Sequence, residues 1–224
     1  ANGVSDIYLR DRTAGTTERI SLGYAGAEAD GASTDPDLSY DGRYVVFVSS
    51  ASNLLPSGVT LINPTQCYVR DRVKQTTLLA SATLGGEGAN AKCQNPSIDP
   101  TGRYVTFASD ATNLDPLAST ESTRIYYRDL LTGALVAASG NLSTGVPTAG
   151  PTGSRSEIGV SEQGILVYDT SASDLGPVDT NGTQDVYGAL VQLSPSFNAT
   201  GPVPDSDNFD SVLFVFDTVS RTYT

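Results

Sequence analysis

A motif that returns at a fixed interval constrains this chain more than any other feature. Asp41-Gly42-Arg43-Tyr44-Val45-Val46-Phe47-Val48-Ser49-Ser50-Ala51-Ser52-Asn53-Leu54 is matched by Thr101-Gly102-Arg103-Tyr104-Val105-Thr106-Phe107-Ala108-Ser109-Asp110-Ala111-Thr112-Asn113-Leu114. A worn third copy begins at Gln163-Gly164-Ile165-Leu166-Val167-Tyr168 and ends at Ser173-Asp174-Leu175. Gly42, Gly102 and Gly164 stand 60 and 62 residues apart. Self-similarity at such a period marks a repeat architecture, in which each unit buries its faces against its neighbours.

The segments between these motifs repeat as well. Ile7-Tyr8-Leu9-Arg10-Asp11-Arg12, a turn at Thr13-Ala14-Gly15-Thr16 and Thr17-Glu18-Arg19-Ile20-Ser21 read as a β-hairpin, from alternating polarity bounded by turn residues. The hairpin returns at Cys67-Tyr68-Val69-Arg70-Asp71-Arg72 and at Ile125-Tyr126-Tyr127-Arg128-Asp129-Leu130, and more weakly at Asp185-Val186-Tyr187. Ahead of it, Pro36-Asp37-Leu38-Ser39-Tyr40 and Pro96-Ser97-Ile98-Asp99-Pro100 each lead through a tight turn into the next strand. Each full repeat therefore holds four short strands, with no helical periodicity. The expected fold is all-β, a β-propeller of four-stranded antiparallel blades with about four repeats.

The chain opens at the third strand of a blade. The apolar stretch Val212-Leu213-Phe214-Val215-Phe216-Asp217, with Arg221-Thr222-Tyr223-Thr224, falls where a further blade would start. Two expectations stand. The C-terminal strands join the N-terminal hairpin and complete a blade from both ends, hiding the sheet edges, or the residues are part of a larger propeller. Residues 1–193 then form the propeller repeats, and 194–210, rich in Pro, Ser, Gly and Asp, form a loop or linker. Residues 211–224 supply strands that complete or extend a blade.

Composition narrows the function classes. The 224 residues hold 25 acidic against 13 basic side chains, a formal charge of −12, and no His, Met or Trp. That balance argues against nucleic acid and anionic membrane surfaces as partners. The lack of His excludes imidazole-built zinc or haem sites and Ser-His-Asp or Cys-His catalysis within these residues. No run approaches the ~20 apolar residues of a membrane span, so no membrane insertion is expected. No charged-then-apolar leader opens the sequence, so an exported protein would be read here in mature or trimmed form. Cys67 and Cys93 are an even pair in a chain that looks exported, which points to a disulfide; two unrelated buried thiols are the alternative.

The run S-x-D-G-R-Y-V-x-F-x-S-x-A-S-N-L, followed by D-[IV]-Y-x-R-D-R-x-x-G-T-T, resembles the TolB-type, WD40-like β-propeller repeats of bacterial secreted and cell-envelope proteins. The resemblance covers nearly the whole chain and is weakest across residues 194–210. It implies a propeller fold and a protein-interaction or surface role, in the secreted, cell-surface or periplasmic space. It implies no chemistry.

Candidate sites are few. Asp179, Asn181 and Asp185 place oxygen ligands around Gly182 in the manner of a calcium loop, with backbone and water to supply the rest of the 6–8 oxygens such an ion takes. A solvated Asx-rich turn is the competing reading. The N-terminal copy, Asn2-Gly3-Val4-Ser5-Asp6, has the glycine and the last carboxylate only. Arg10/Asp11, Arg70/Asp71 and Arg128/Asp129 recur once per repeat. An arginine–carboxylate pair is geometrically specific, yet an active site is unique whereas a structural bond repeats with the blade, so a structural role is expected. Phe209, Phe214 and Phe216 are the apolar anchors for docking on another subunit. Without a nucleophile motif, phosphate loop or cofactor fingerprint, the chain is not expected to be an enzyme. The expected role is an interaction or structural module with a protein partner, or with other subunits of a surface assembly docked through open blade edges. A glycan-binding or glycosidase-like propeller is the remaining alternative; it would need a carboxylate pair flanking the scissile bond.

Overall fold

The tight turns that punctuate the repeat divide the backbone into short antiparallel strands. The computed structural model describes residues 2–115 and 123–138 in full, and beyond them the backbone of five strands. In chain order the strands are β1 (Tyr8–Asp11), β2 (Thr16–Arg19), β3 (Ser33–Leu38), β4 (Tyr44–Ser49), β5 (Gln66–Asp71), β6 (Thr76–Leu79), β7 (Cys93–Ile98), β8 (Tyr104–Ser109), β9 (Arg124–Asp129) and β10 (Leu135–Ala137). Then come β11 (Gly159–Val160), β12 (Ile165–Thr170), β13 (Asp185–Gln192), β14 (Asp210–Asp217) and β15 (Thr222–Tyr223). They form a hairpin β1-β2, two four-stranded sheets β3-β4-β5-β6 and β7-β8-β9-β10, and a five-stranded sheet β11-β12-β13-β14-β15. Every pairing is antiparallel.

The turn from β3 to β4 shows why the motif begins with glycine. Gly42 and Gly102 have φ of 67° and 75°, and their amides donate to the Ser39 and Asp99 carbonyls. A residue without Cβ enters that region at no steric cost. Asp99 then gathers the amides of Thr101, Arg103 and Tyr104 on its carboxylate. In the preceding sheet Ser39 and Asp41 share that work: Ser39 Oγ accepts from Tyr44 N, and Asp41 Oδ1 accepts from Arg43 N.

The end of the motif is a clamp. Ser49 and Ser109 Oγ each accept the amide two residues on, at Ala51 and Ala111, and donate to the carbonyls of Ala32 and Lys92. Asn53 accepts from Asp30 N and donates to Glu28 O; Asn113 does the same with Asn90 N and Gly88 O. Leu54 and Leu114 plug the core beneath. The polar residues of the motif thus tie down the strand that enters their own sheet.

The run Val45-Val46-Phe47-Val48 is apolar at consecutive positions because the sheet is covered on both faces. Val45, Phe47 and Tyr68 meet Ile7 and Ile20 of the hairpin. Val46, Val48, Cys67 and Val69 meet Ile98, Val105, Phe107 and Tyr126 of the next sheet. Sheets stacked face to face in chain order are the arrangement expected of propeller blades. The entering strands β3 and β7 lie side by side, with Asp37 Oδ2 accepting from Ser97 Oγ and Ile98 N. Both carry a register shift, at Asp35 (φ 51°) and Asn95 (φ 47°), each followed by proline. Asp and Asn are among the few residues with a side chain that visit that region readily.

Of the two placements open to the C-terminal stretch, the described backbone has it extending the last sheet. β14 pairs with β13, with Tyr187 opposite Val215 and Gln192 opposite Asp210, and so takes the fourth place in the last sheet. The free edge of β13 offers the same unpaired row of amides and carbonyls as the edge of β1, and an apolar alternating strand satisfies either. Among the described residues the hairpin β1-β2 is two-stranded. No helix among the described residues is long and apolar enough to cross a membrane.

Candidate interaction edge

The Arg-Asp dipeptides lie at the same register in three hairpins: Asp11 is opposite Thr16, Asp71 opposite Thr76, and Arg128 opposite Leu135. Within a dipeptide the two side chains do not pair, since neighbours on a strand point to opposite faces. The arginine that meets Asp71 or Asp129 is not the one beside it in the dipeptide. Arg43 Nε and Nη2 grip Asp71 at 3.1 and 2.8 Å, and Arg103 grips Asp129 at 3.1 and 2.7 Å. Both guanidinium groups lie over a tyrosine ring, Tyr44 and Tyr104, at 4.7 Å. The signal was present in the repeating Asp/Thr-Gly-Arg triplet, 28 and 26 residues ahead of its aspartates.

Each aspartate also caps its own turn, Asp71 accepting from Val73 N and Lys74 N, and Asp129 from Leu131 N. The bidentate arginine and these amides hold the Asp71 carboxyl down at about 2. Burial pushes the Asp129 carboxyl up, but its Arg103 and amide bonds outweigh that and leave it lowered. The dipeptide arginines turn the other way. Arg70 donates to Gln75 O and Thr77 Oγ1 within its hairpin. Arg128 donates to Gly133 O and reaches across to the carbonyls of Ala80 and Ala82 in the preceding sheet. Burial lowers the Arg128 guanidinium to about 10.

The first hairpin lacks this surround. Asp11 caps its turn through Thr13 N and Ala14 N, and Arg10 bonds Thr17 Oγ1, but among the described residues no arginine meets Asp11. Tyr8 is 59% exposed, whereas Tyr68 and Tyr126 are 0% exposed. β5 and β9 are each flanked on the far side by β4 and β8; among the described residues no strand pairs with that side of β1.

The remaining candidates are placed as follows. Cys67 and Cys93 form a disulfide, Cα atoms 5.6 Å apart, joining β5 of one sheet to β7 of the next. Asp179 and Asn181 lie outside the described residues; Asp185 opens β13 opposite Thr170. In the N-terminal copy, Asp6 accepts from Ser21 Oγ and lies 3.5 Å from Arg19, so its carboxylate serves the hairpin. Among the described residues no three carboxylates or thiols gather in a metal-binding group. Phe209 lies outside the described residues, and Phe214 and Phe216 lie on β14, at the registers of Gly188 and Tyr223.

No protein-family model and no curated protein matches the chain. Solved structures do. The tricorn protease is similar over 100% of this chain and 24% of its own, at 10% identity and a TM-score of 0.54. TolB from Acinetobacter baumannii matches over 97% of this chain and 47% of its own, at 12% identity and a TM-score of 0.46. The β-propeller domain of the Trilobed protease from Pyrococcus furiosus matches over 84% and 55%, at 11% identity and a TM-score of 0.31. The chain thus spans about half the length of the TolB structure and about a quarter of the tricorn protease. At such identities the likeness is one of fold: an all-β propeller of antiparallel, four-stranded sheets.

Proposed function

We propose that this chain is a non-catalytic β-propeller module of an exported protein that serves as a protein-interaction or structural module. One observation carries the reading: the bidentate arginine–aspartate bond recurs from sheet to sheet, Arg43 on Asp71 and Arg103 on Asp129, as a structural bond does and a unique active site does not. The described arginines and aspartates that might suggest chemistry hold turns and strands in each repeat instead. The buried disulfide suits an oxidising compartment such as the periplasm or the cell surface.

Negative-stain electron microscopy with a mass measurement, on protein taken from its native source, tests the reading. Stable complexes with other chains are expected. Single discs of one chain's mass, with no bound protein, would overturn it.

A further inference from the structure

We propose that the chain binds a second copy of itself head to tail, the long-loop end of one copy docking on the short-turn end of the next. The contact presupposes the module reading above and uses the ends of the strands, not their edges.

Antiparallel pairing sends the short hairpin turns to one end of the sheets and the long connections to the other. At the long-loop end three connections form one ridge. Tyr24 N, in the loop after β2, donates to Asn53 O, and Gly88 N, in the loop after β6, donates to Thr60 O. The loop after β4 is thereby fastened on both sides, and residues 50–65 within it include no charged side chain. Tyr24, Val59, Ile62 and Leu84 are exposed along the ridge. Tyr24 and Leu84 hold the same place in sister loops, three residues after Ser21 and Ser81. Exposed apolar side chains that recur at one position and gather in one place mark a contact surface better than scattered ones do. The charged side chains of these three loops are Glu28, Asp30 and Glu87 against Lys92 alone. Arg19 meets Glu28, whereas Asp30 and Glu87 are in no ion pair among the described residues.

The short-turn end is the counterpart. Tyr40 is 94% exposed there, and its amide donates to Pro100 O in the turn of the next sheet. Val73 and Leu131 stand exposed at matching places, two residues after Asp71 and Asp129. The sign of the charge is reversed. The five turns hold Arg12, Arg43, Arg72, Lys74 and Arg103 against Asp41 and Asp99. Neighbouring strands take three of these cations, Arg43 on Asp71, Arg103 on Asp129 and Arg72 on Glu18, while Lys74 is in no ion pair among the described residues.

An apolar ridge bordered by carboxylates and an apolar face bordered by cations fit each other, and one chain carries both. Apolar burial supplies the attraction, and opposite charge sets which end meets which. Because the two surfaces differ, the contact does not close on itself and copies add in a line.

Sedimentation velocity of the full chain over a concentration series tests this. Species that lengthen with concentration are expected, with association about 10-fold weaker once added salt screens the charges. Leu84→Ser with Glu87→Lys alters the loop end, and Val73→Ser with Lys74→Glu alters the turn end; all four side chains are exposed. Each double variant alone is expected to stay monomeric where the unaltered chain associates. Mixed in equal amounts, they retain one intact loop end and one intact turn end, so dimers and nothing longer are expected, which also shows that both fold. Association that either variant leaves untouched, or a mixture that stays monomeric, would overturn the head-to-tail contact. A monomer at about 1 mM would overturn self-association. A stable complex with a different protein from the native source would then leave the module reading standing, and the lack of any complex would overturn both.

Discussion

Two interfaces between successive sheets can be compared position by position. The hairpin β1-β2 meets the first full sheet through a small apolar cluster of Ile7, Ile20, Ala29, Val45, Phe47, Ala51, Leu54 and Tyr68. An ion pair at the rim joins them, Arg72 to Glu18, with both side chains about a third exposed. The first and second full sheets meet through a larger cluster, a disulfide, the buried Arg128 guanidinium on two carbonyls, and Asp37 on Ser97 and Ile98. Ile7 and Ser33 occupy in the first interface the places that Cys67 and Cys93 occupy in the second, and Arg70 stays within its own hairpin where Arg128 crosses. The same repeat thus supports a welded joint and a loose one. Local opening is easiest where fewer buried contacts hold an element, so the loose joint is the one expected to open first.

The largest expected effect comes from breaking the welded joint. Replacing Cys67 and Cys93 by serine removes a cross-link between residues 26 apart, which the loop-entropy model values at about 3.5 kcal/mol. Chemical denaturation should show that loss, and the two full sheets should begin to exchange as separately as the hairpin does. An unchanged midpoint would mean that packing alone holds the joint. Arg128→Met follows, at about 2 kcal/mol, because the carbonyls of Ala80 and Ala82 lose their donor in a buried place. Arg70→Met should cost about half of that, since its acceptors lie at the turn. Equal costs would deny the crossing arginine its special role.

Much of the fold was legible because repetition exposes it. The recurring hairpin and the turn glycines depend on local backbone demands, so they survive in any one copy. The contacts that define the site depend on strands far apart, and a single copy hides them. Arg43 and Asp71 each stood in a quoted motif, but their pairing needs the register of β4 against β5. The trade of Asp99 for Ser39 with Asp41 is invisible for the same reason: two residues in one sheet do the work of one in the next. Gln75 shows a different limit. It takes φ of 56° where Gly15 and Gly133 stand in the sister turns, and its side chain bonds Arg70 and the Arg72 carbonyl in compensation. The fate of β14 was undetermined because alternation in Val212-Leu213-Phe214-Val215-Phe216 says that a strand forms, not which edge it meets.

Acid gives an effect close in size to that of Arg128→Met. The folded Asp71 carboxyl lies at about 2, below its ordinary 3.8, so its contribution is complete above about pH 5 and is lost as pH falls toward 2. The shift corresponds to about 2 kcal/mol. Asp71→Asn should flatten the stability profile across that window; an unflattened profile would mean that the Arg43 pair contributes little.

The smallest expected effect is the most local one. Glu18→Gln removes the charge that Arg72 Nε and Nη2 meet at 2.9 and 2.6 Å. With both partners about a third exposed, solvent screening limits the pair to about 0.5 kcal/mol, and less at high salt. That is too little to move a global midpoint far, but it corresponds to roughly a twofold rise in opening of whatever unit the pair secures. Residue-resolved exchange should therefore quicken across β1 and β2 while β3 to β6 keep their rates. If the whole first sheet quickens with the hairpin, the two open together, and the loose joint is only an apparent one. If the hairpin alone responds, it is a separate cooperative unit held by its apolar contacts.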